Sequence, residues 1–187
     1  MNRRVVITGL GVCAPNGVGL TDFTNALLDG KSGLRHQPNL EKLGFGCQVA
    51  GEPLVKDKLI DNYFTPLERR GLNATGIVYG VIAGMDAWKD AGLEKNTKDE
   101  PSWDRGIIFG TGILGVDKFR EAIHLIDEGN VRRLGSTSVI QTMASGISAY
   151  LGGLLGCGNQ VTTNSAACTT GTEGILMAYD RISQGKA

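Results

Sequence analysis

The chain has no run of the ~18 apolar residues that a membrane-spanning helix requires, so no span is expected. It has no excess charge either. Its 19 Lys and Arg balance 19 Asp and Glu, which leaves no electrostatic footprint for nucleic acid or an anionic membrane. Histidine is scarce, with only His36 and His124. The four cysteines, Cys13, Cys47, Cys157 and Cys168, form no C-x-x-C pair, and neither histidine joins them in ligand-like spacing. That pattern argues against zinc, and free thiols fit a reducing cytoplasm. Asn2-Arg3-Arg4 leads straight into a strand-like segment without the apolar h-region of a secretory signal, so no signal peptide is expected. Glycine is the residue in excess. Its 28 positions in 187 are roughly twice the usual share, and they are dispersed, which reads as tight turns and close backbone approach. The apolar fraction of 41% and charged fraction of 20% are those of one globular domain with a real core.

Arg4-Val5-Val6-Ile7-Thr8 is a β-branched apolar run entering Gly9-Leu10-Gly11, which predicts a buried strand and a Gly-rich turn. A dinucleotide fingerprint fails here. The third glycine falls at Ala14, Pro15 follows, and no acidic partner lies at the expected distance. A turn packed under a helix is the better reading. Thr21 or Asp22 is the expected cap of a helix through Leu28 that Gly30 ends. Gly30-Lys31-Ser32 echoes a phosphate loop, but Asn25 replaces its first glycine and a helix, not a strand, precedes it. The stretch 34–65 is poorly periodic, with a strand expected near Cys47 to Ala50.

From Pro66 a helical period is clear: Ala74, Ile77, Val78, Val81, Ile82, Met85 and Trp88 share one face up to a stop at Ala91-Gly92. Arg69 and Arg70 near its start form a basic pair, either a solvated face or a partner contact. Asn96 to Asp104 is a polar linker before a second buried strand, Arg105 to Phe109. Gly110 to Gly115 then leads into a helix, Val116 to Ile126, with Phe119, Ile123 and Ile126 on one side and His124 on the surface. Ser145 to Leu151 is a small-residue helix that permits close packing. Strands alternating with helices imply an α/β fold with mostly buried strands.

The stretch Ser165-Ala166-Ala167-Cys168-Thr169-Thr170-Gly171 follows a β-prone segment, Gln160 to Asn164, and precedes a helical run from Glu173 to Ile182. A cysteine there meets the unpaired N–H groups of a helix N-terminus, which favour thiolate over thiol and make a nucleophile. The other reading is a small buried apolar residue. Local sequence leaves both open.

Four segments together resemble the β-ketoacyl-acyl-carrier-protein synthases, the condensing enzymes of fatty-acid and polyketide synthesis. Arg4 to Gly11 looks like their opening strand, and Asp90-Ala91-Gly92-Leu93 like the end of their first long helix. Met143-Ala144-Ser145-Gly146 resembles the helix before the active-site strand, closest to the type I synthases, and Ser165 to Gly171 resembles the nucleophile turn. The resemblance implies the N-terminal half of a thiolase-like, layered αβαβα fold, with residues 1–187 forming one N-terminal synthase domain that stops before a second half. It implies that Cys168 accepts an acyl chain from acyl carrier protein, for decarboxylative condensation with a malonyl carrier thioester. Ile113 and Met143 match positions lining or bordering the acyl tunnel, although a plain core role is equally open. Arg69 and Arg70 lie near the basic positions that dock the carrier, in a shifted register. No cofactor belongs to the protein itself, because phosphopantetheine arrives on the carrier. A homodimer or heterodimer of synthase type is implied. The family's two catalytic histidines, its lysine and its Gly-rich oxyanion loop lie in the second half, and His36 and His124 match neither histidine. Residues 1–187 alone are therefore not expected to condense. Two alternatives stand beside this one: a thiolase-type acyltransferase using CoA thioesters, and a non-catalytic partner subunit like the chain-length factors, which typically lack the cysteine.

Overall fold

A computed structural model describes residues 3–187, so Asn2 of the opening segment lies outside the described residues. The chain begins with a hairpin of β1 (Cys13–Ala14) and β2 (Gly17–Val18), then helix α1 (Leu20–Leu28). Strands β3 (Leu34–His36) and β4 (Val49–Gly51) pair antiparallel around the short helix α2 (Pro38–Lys42). Two further short helices, α3 (Asp57–Ile60) and α4 (Pro66–Gly71), lead to the long helix α5 (Thr75–Asp90). The remaining elements are β5 (Ile107–Ile108), α6 (Val116–Asp127), α7 (Ser138–Thr142), α8 (Gly146–Leu155), β6 (Val161–Thr162) and α9 (Thr170–Ser183).

β5 and β6 run parallel, Ile107 opposite Val161 and Ile108 opposite Thr162. Three N–H donations extend the pairing beyond these residues: Ile107 to Gln160 O, Phe109 to Thr162 O and Thr111 to Asn164 O. Side chains alternate across a strand. Ile107 accordingly packs on the main core, and Val161 meets α8, where a Cβ on Gly152 would lie 2.8 Å from Val161 Cγ1. Ile108 faces α9, with a Cβ on Gly174 3.9 Å from Ile108 Cγ2. The pair of strands is thus held between α8, backed by α5, on one side and α9 on the other. This is the helix–sheet–helix layering expected of the α/β reading, but the strands are at most half-buried rather than buried, because α9 and α8 cover short two-residue ladders only in part.

The core is centred on Ile77, Val81 and Ile82 of α5 and Leu151 and Leu155 of α8. Glycines set how closely these helices approach. A Cβ on Gly80 would lie 2.7 Å from Ile147 Cγ2, and one on Gly84 2.7 Å from Leu151 Cδ1. The small-residue helix behaves as its composition predicts. Met85 and Trp88 pack against the same core, and the Trp88 indole donates to Glu94 O. Gly92 ends α5 with φ 68, its N–H donating to Lys89 O and that of Leu93 to Trp88 O, a C-terminal motif that favours glycine.

Four further expectations change. The run Arg4 to Thr8 is not a buried strand: no strand pairs with it among the described residues, and Ile7 is 73% exposed. A strand exists by its ladder. Here the chain is tied through Arg3 N–H to Ser183 O and Leu10 N–H to Asp90 Oδ2 (2.9 Å). Gly9 and Gly11 instead lie against α5, where a Cβ on either would overlap the helix backbone, so the turn-under-a-helix reading holds. At α1 the cap position is Gly19, with φ 86, and Thr21 and Asp22 fall inside the first turn. The helical signal from Pro66 resolves into two helices because Leu72 to Ala74 leave helical geometry. Thr65 and Glu68 form a reciprocal capping box on α4. Ala74, the cap position of α5, has no side chain to offer, and groups from elsewhere take its place. Gln141 Oε1 accepts from the N–H groups of Asn73 and Ala74, and Asp117 Oδ2 accepts from Thr75 N–H. Lastly, the apolar side of α6 is open to solvent: Phe119 is 58% exposed, and Ile123 and Ile126 are exposed too.

Candidate active site

Cys168 stands in a single 3-10 turn, Ala167–Thr169, between the end of the β6 strand and the start of α9. It is exposed and unpaired. The strand–turn–helix placement read from the sequence is therefore present, and the buried-apolar alternative for Cys168 is removed. Ala167 has φ 47, the one positive φ on a non-glycine residue among the described residues. An L-residue in that region costs roughly 1–2 kcal/mol. A hydrogen-bonded frame holds it there. Thr170 Oγ1 accepts the Ala166 N–H at 2.8 Å and donates to Ala167 O at 2.7 Å, and Thr169 Oγ1 donates to Ala166 O at 2.8 Å. Asn164 Nδ2 closes the frame by donating to Thr170 O and to Glu173 Oε2. The Cys168 N–H meets no acceptor among the described residues. Exposed sulfur and unpartnered amide thus share one turn, an arrangement that serves attack on a carbonyl and stabilisation of the resulting oxyanion. Sequence reading singled out the cysteine and missed Asn164. Its position, a polar residue closing a β-prone segment just before a turn, was the available signal.

The loop between β5 and α6 lies beside this turn. Thr111 N–H donates to Asn164 O, and Ser165 Oγ donates to Gly112 O at 3.4 Å. Ile113 extends from that loop and is 74% exposed, so it is not a core residue. Its neighbour Leu114 is buried in a notch between α5 and α8: a Cβ on Gly76 would lie 2.5 Å from Leu114 Cδ1, and one on Gly146 3.0 Å from Leu114 Cδ2. Gly115, with φ 64, lies against Gln141 and Thr142, one residue from Met143, which is 39% exposed. The structure therefore links Cys168, Ile113 and Met143 through adjacent loops, with both apolar side chains accessible.

Arg69 and Arg70 part company. Arg69 is committed to Asp61 Oδ1 at 2.6 Å and Asp57 Oδ1 at 2.8 Å. Arg70 makes no ion pair among the described residues and lines a groove of about 480 Å³ with Lys118, Arg133, Thr137 and Gln141. Lys118 is paired with Glu121, which leaves Arg70 and Arg133 as the groove's unpaired cations among the described residues. Of these residues sequence analysis singled out only Arg70. Gln141 carried no signal at all.

Cys47 is exposed as Cys168 is, while Cys13 and Cys157 sit in different surroundings. Burial, with a smaller contribution from Asp86, pushes the Cys13 thiol up to about 11. Burial also raises Cys157. His36 lies 3.3 Å from Glu41, and His124 is exposed near the end of α6. No described helix is long and apolar enough to cross a membrane.

Comparison with known proteins places this geometry. Residues 2–187 match the family described as "Beta-ketoacyl synthase, N-terminal domain". The chain is 31% identical over 185 residues to 3-oxoacyl-[acyl-carrier-protein] synthase 2 of Vibrio harveyi, covering 99% of this chain and 43% of that protein. It spans less than half the length of the curated relatives it matches. Among solved structures, the ishigamide ketosynthase/chain length factor superposes with a TM-score of 0.79 at 25% identity, covering 100% of this chain and 46% of that one. A type II PKS acyl-carrier protein in complex with its ketosynthase bound to the hexaketide gives a TM-score of 0.77 at 25% identity, covering 100% and 44%. With an exposed cysteine on a strained turn, thiolase-like layering and a match from end to end of its described residues, this chain belongs to the β-ketoacyl synthase family, in the N-terminal domain of that family.

Proposed function

We propose that this chain supplies the acyl-accepting nucleophile of a β-ketoacyl-acyl-carrier-protein synthase. The Cys168 thiolate attacks the carbonyl of a carrier-bound acyl thioester. Negative charge develops on the carbonyl oxygen within reach of the Cys168 N–H. The bond to the phosphopantetheine sulfur then breaks, and that sulfur leaves and takes up a proton as free thiol. The observation that carries the reading is the exposed Cys168 on the Ala167 turn, with its own amide unpartnered among the described residues. Exposed Ile113 and Met143 offer apolar surface for the acyl chain.

The partner is acyl carrier protein, which brings the phosphopantetheine, so the chain needs no cofactor of its own. Arg70, rather than the engaged Arg69, offers a cation to an acidic carrier. Exposed Phe119, Ile123 and Ile126 on α6 support pairing with a second synthase-type subunit. The four unpaired thiols support a reducing, cytoplasmic setting. The product enters fatty-acid or polyketide synthesis. Condensation itself needs groups to stabilise the enolate that decarboxylation forms, and neither His36 beside Glu41 nor His124 on α6 belongs to the Cys168 frame. Residues 1–187 alone therefore stop at the acyl-cysteine. A partner-subunit reading draws on the ketosynthase/chain length factor likeness, and the retained Cys168 stands against it. Intact mass after incubation with an acyl-carrier thioester tests the proposal. One acyl group per chain is expected, with no β-ketoacyl product when malonyl carrier is added. An unmodified chain would contradict the transfer, and a condensed product would contradict the limit.

A further inference from the structure

Two parts that the proposed function assigns to substrate, the Arg70 groove and the Ile113 loop, meet at one buried residue. Gln141 is 6% exposed and contributes to the floor of the groove that Arg70 lines. Its Oε1 accepts from Asn73 N–H at 2.8 Å and Ala74 N–H at 2.9 Å, the joint between α4, which carries Arg70, and α5. Only a carbonyl oxygen can accept twice from backbone N–H groups, which fixes the orientation of the amide. One turn earlier, Thr137 Oγ1 donates to Gly71 O at the same joint. The backbone of Gln141 bears on the acyl side. A Cβ on Gly115 would overlap the Gln141 carbonyl oxygen, so the loop carrying Ile113 rests directly on this residue. Met143 follows two residues later along the chain.

One chain of contacts therefore runs from the α4–α5 joint through Gln141 to the Ile113 loop, and Met143 follows Gln141 in sequence. We infer that Gln141 is a positioning residue that couples the carrier-facing groove to the apolar wall beside Cys168. It touches neither the reacting carbon nor the sulfur. Its effect is on how well a docked carrier presents its acyl chain. The inference rests on the acyl-transfer reading above.

The test compares two acyl donors of the same chain length, a carrier-bound thioester and a free acyl-pantetheine, and follows Cys168 acylation by mass spectrometry. The free donor does not use the groove. Gln141→Leu removes the acceptor and is expected to lower the carrier-to-pantetheine rate ratio by about 5-fold or more, the lower end of coupling between sites. Gln141→Glu keeps an acceptor and is expected to restore the ratio. Thr137→Val, which cuts one bond to the same joint, is expected to lower it in the same direction and serves if Gln141→Leu does not fold. Equal slowing with both donors, or an unchanged ratio, would leave Gln141 a purely structural residue and overturn the coupling alone. A wild-type chain that accepts acyl groups from neither donor would overturn the acyl-transfer reading first, and the coupling with it.

Discussion

Gly152 and Gly153 are neighbours on α8, and the structure predicts opposite outcomes when each becomes alanine. Both substitutions gain the same intrinsic helix preference, about 1 kcal/mol over glycine in a helix interior. At Gly153 a Cβ meets nothing within 4 Å, so that gain stands alone and the variant is expected to be stabilised by about 0.5–1 kcal/mol. At Gly152 the new methyl would lie 2.8 and 3.1 Å from the two γ-methyls of Val161. Val161 is β-branched and fixed in the parallel ladder opposite Ile107, so it has little freedom to rotate away. Overpacking of this kind costs about 1–3 kcal/mol. Because the preference term is common to both variants, the difference between them isolates the contact and should be about 1–3 kcal/mol. In a chain of this size that corresponds to a gap in Tm of roughly 2–12 °C, Gly153→Ala above wild type and Gly152→Ala at or below it. Urea unfolding followed by circular dichroism, with slopes compared between variants, gives the free energies. Equal stabilities for the two variants would refute the close packing of α8 on the strand that leads to Cys168.

Other expectations follow from the same geometry. Alkylation with iodoacetamide at pH 8 and peptide mapping should find Cys47 and Cys168 modified and Cys157 protected, with Cys13 reacting only as the pH approaches 11. Thr65→Ala should cost about 0.5–2 kcal/mol, because the cap of α4 is lost. Hydrogen bonds from Thr65 backbone and side chain, and then from Tyr150, hold the Glu68 carboxyl below its usual range. A lowered folded value means that its contribution is present above the ordinary value of about 4.3 and disappears as the pH falls through the folded one. The stability advantage of wild type over Glu68→Gln should therefore shrink in thermal melts taken from pH 6 down to pH 3. Arg70→Glu should slow Cys168 acylation from a carrier thioester while leaving acylation by free acyl-pantetheine unchanged. An equal effect on both donors would argue against docking in the Arg70 groove.

Local signals predicted those parts of the fold that depend on local physics. The period of α5 from Ile77 to Trp88 and its stop at Gly92 follow from side-chain spacing and a positive φ, so they are readable without tertiary information. The turn carrying Cys168 is readable for the same reason: a β-prone segment, a small-residue turn and a helical run identify it. What could not be read is set by partners distant in sequence. The run Arg4 to Thr8 has the composition of a strand, yet a strand depends on a neighbour, and among the described residues none pairs with it. The face of α6 defined by Phe119 and Ile123 has the period of a buried side, but period does not say what covers it. The difference between Arg69 and Arg70 is one position in sequence. Only the placement of Asp57 and Asp61 on and beside α3 separates an engaged guanidinium from an available one. Gln141 had no sequence signal because its role lies in backbone N–H groups 67 and 68 residues away.

We propose that Cys168, and no other thiol of this chain, accepts the acyl group. The most direct measurement is peptide mapping by tandem mass spectrometry after incubation with an acyl-carrier thioester, on wild type and Cys168→Ser. One acyl mass is expected on the peptide containing Cys168, removed by hydroxylamine and absent from the variant. An adduct on the equally exposed Cys47, or an unmodified Cys168 in a folded chain, would contradict it.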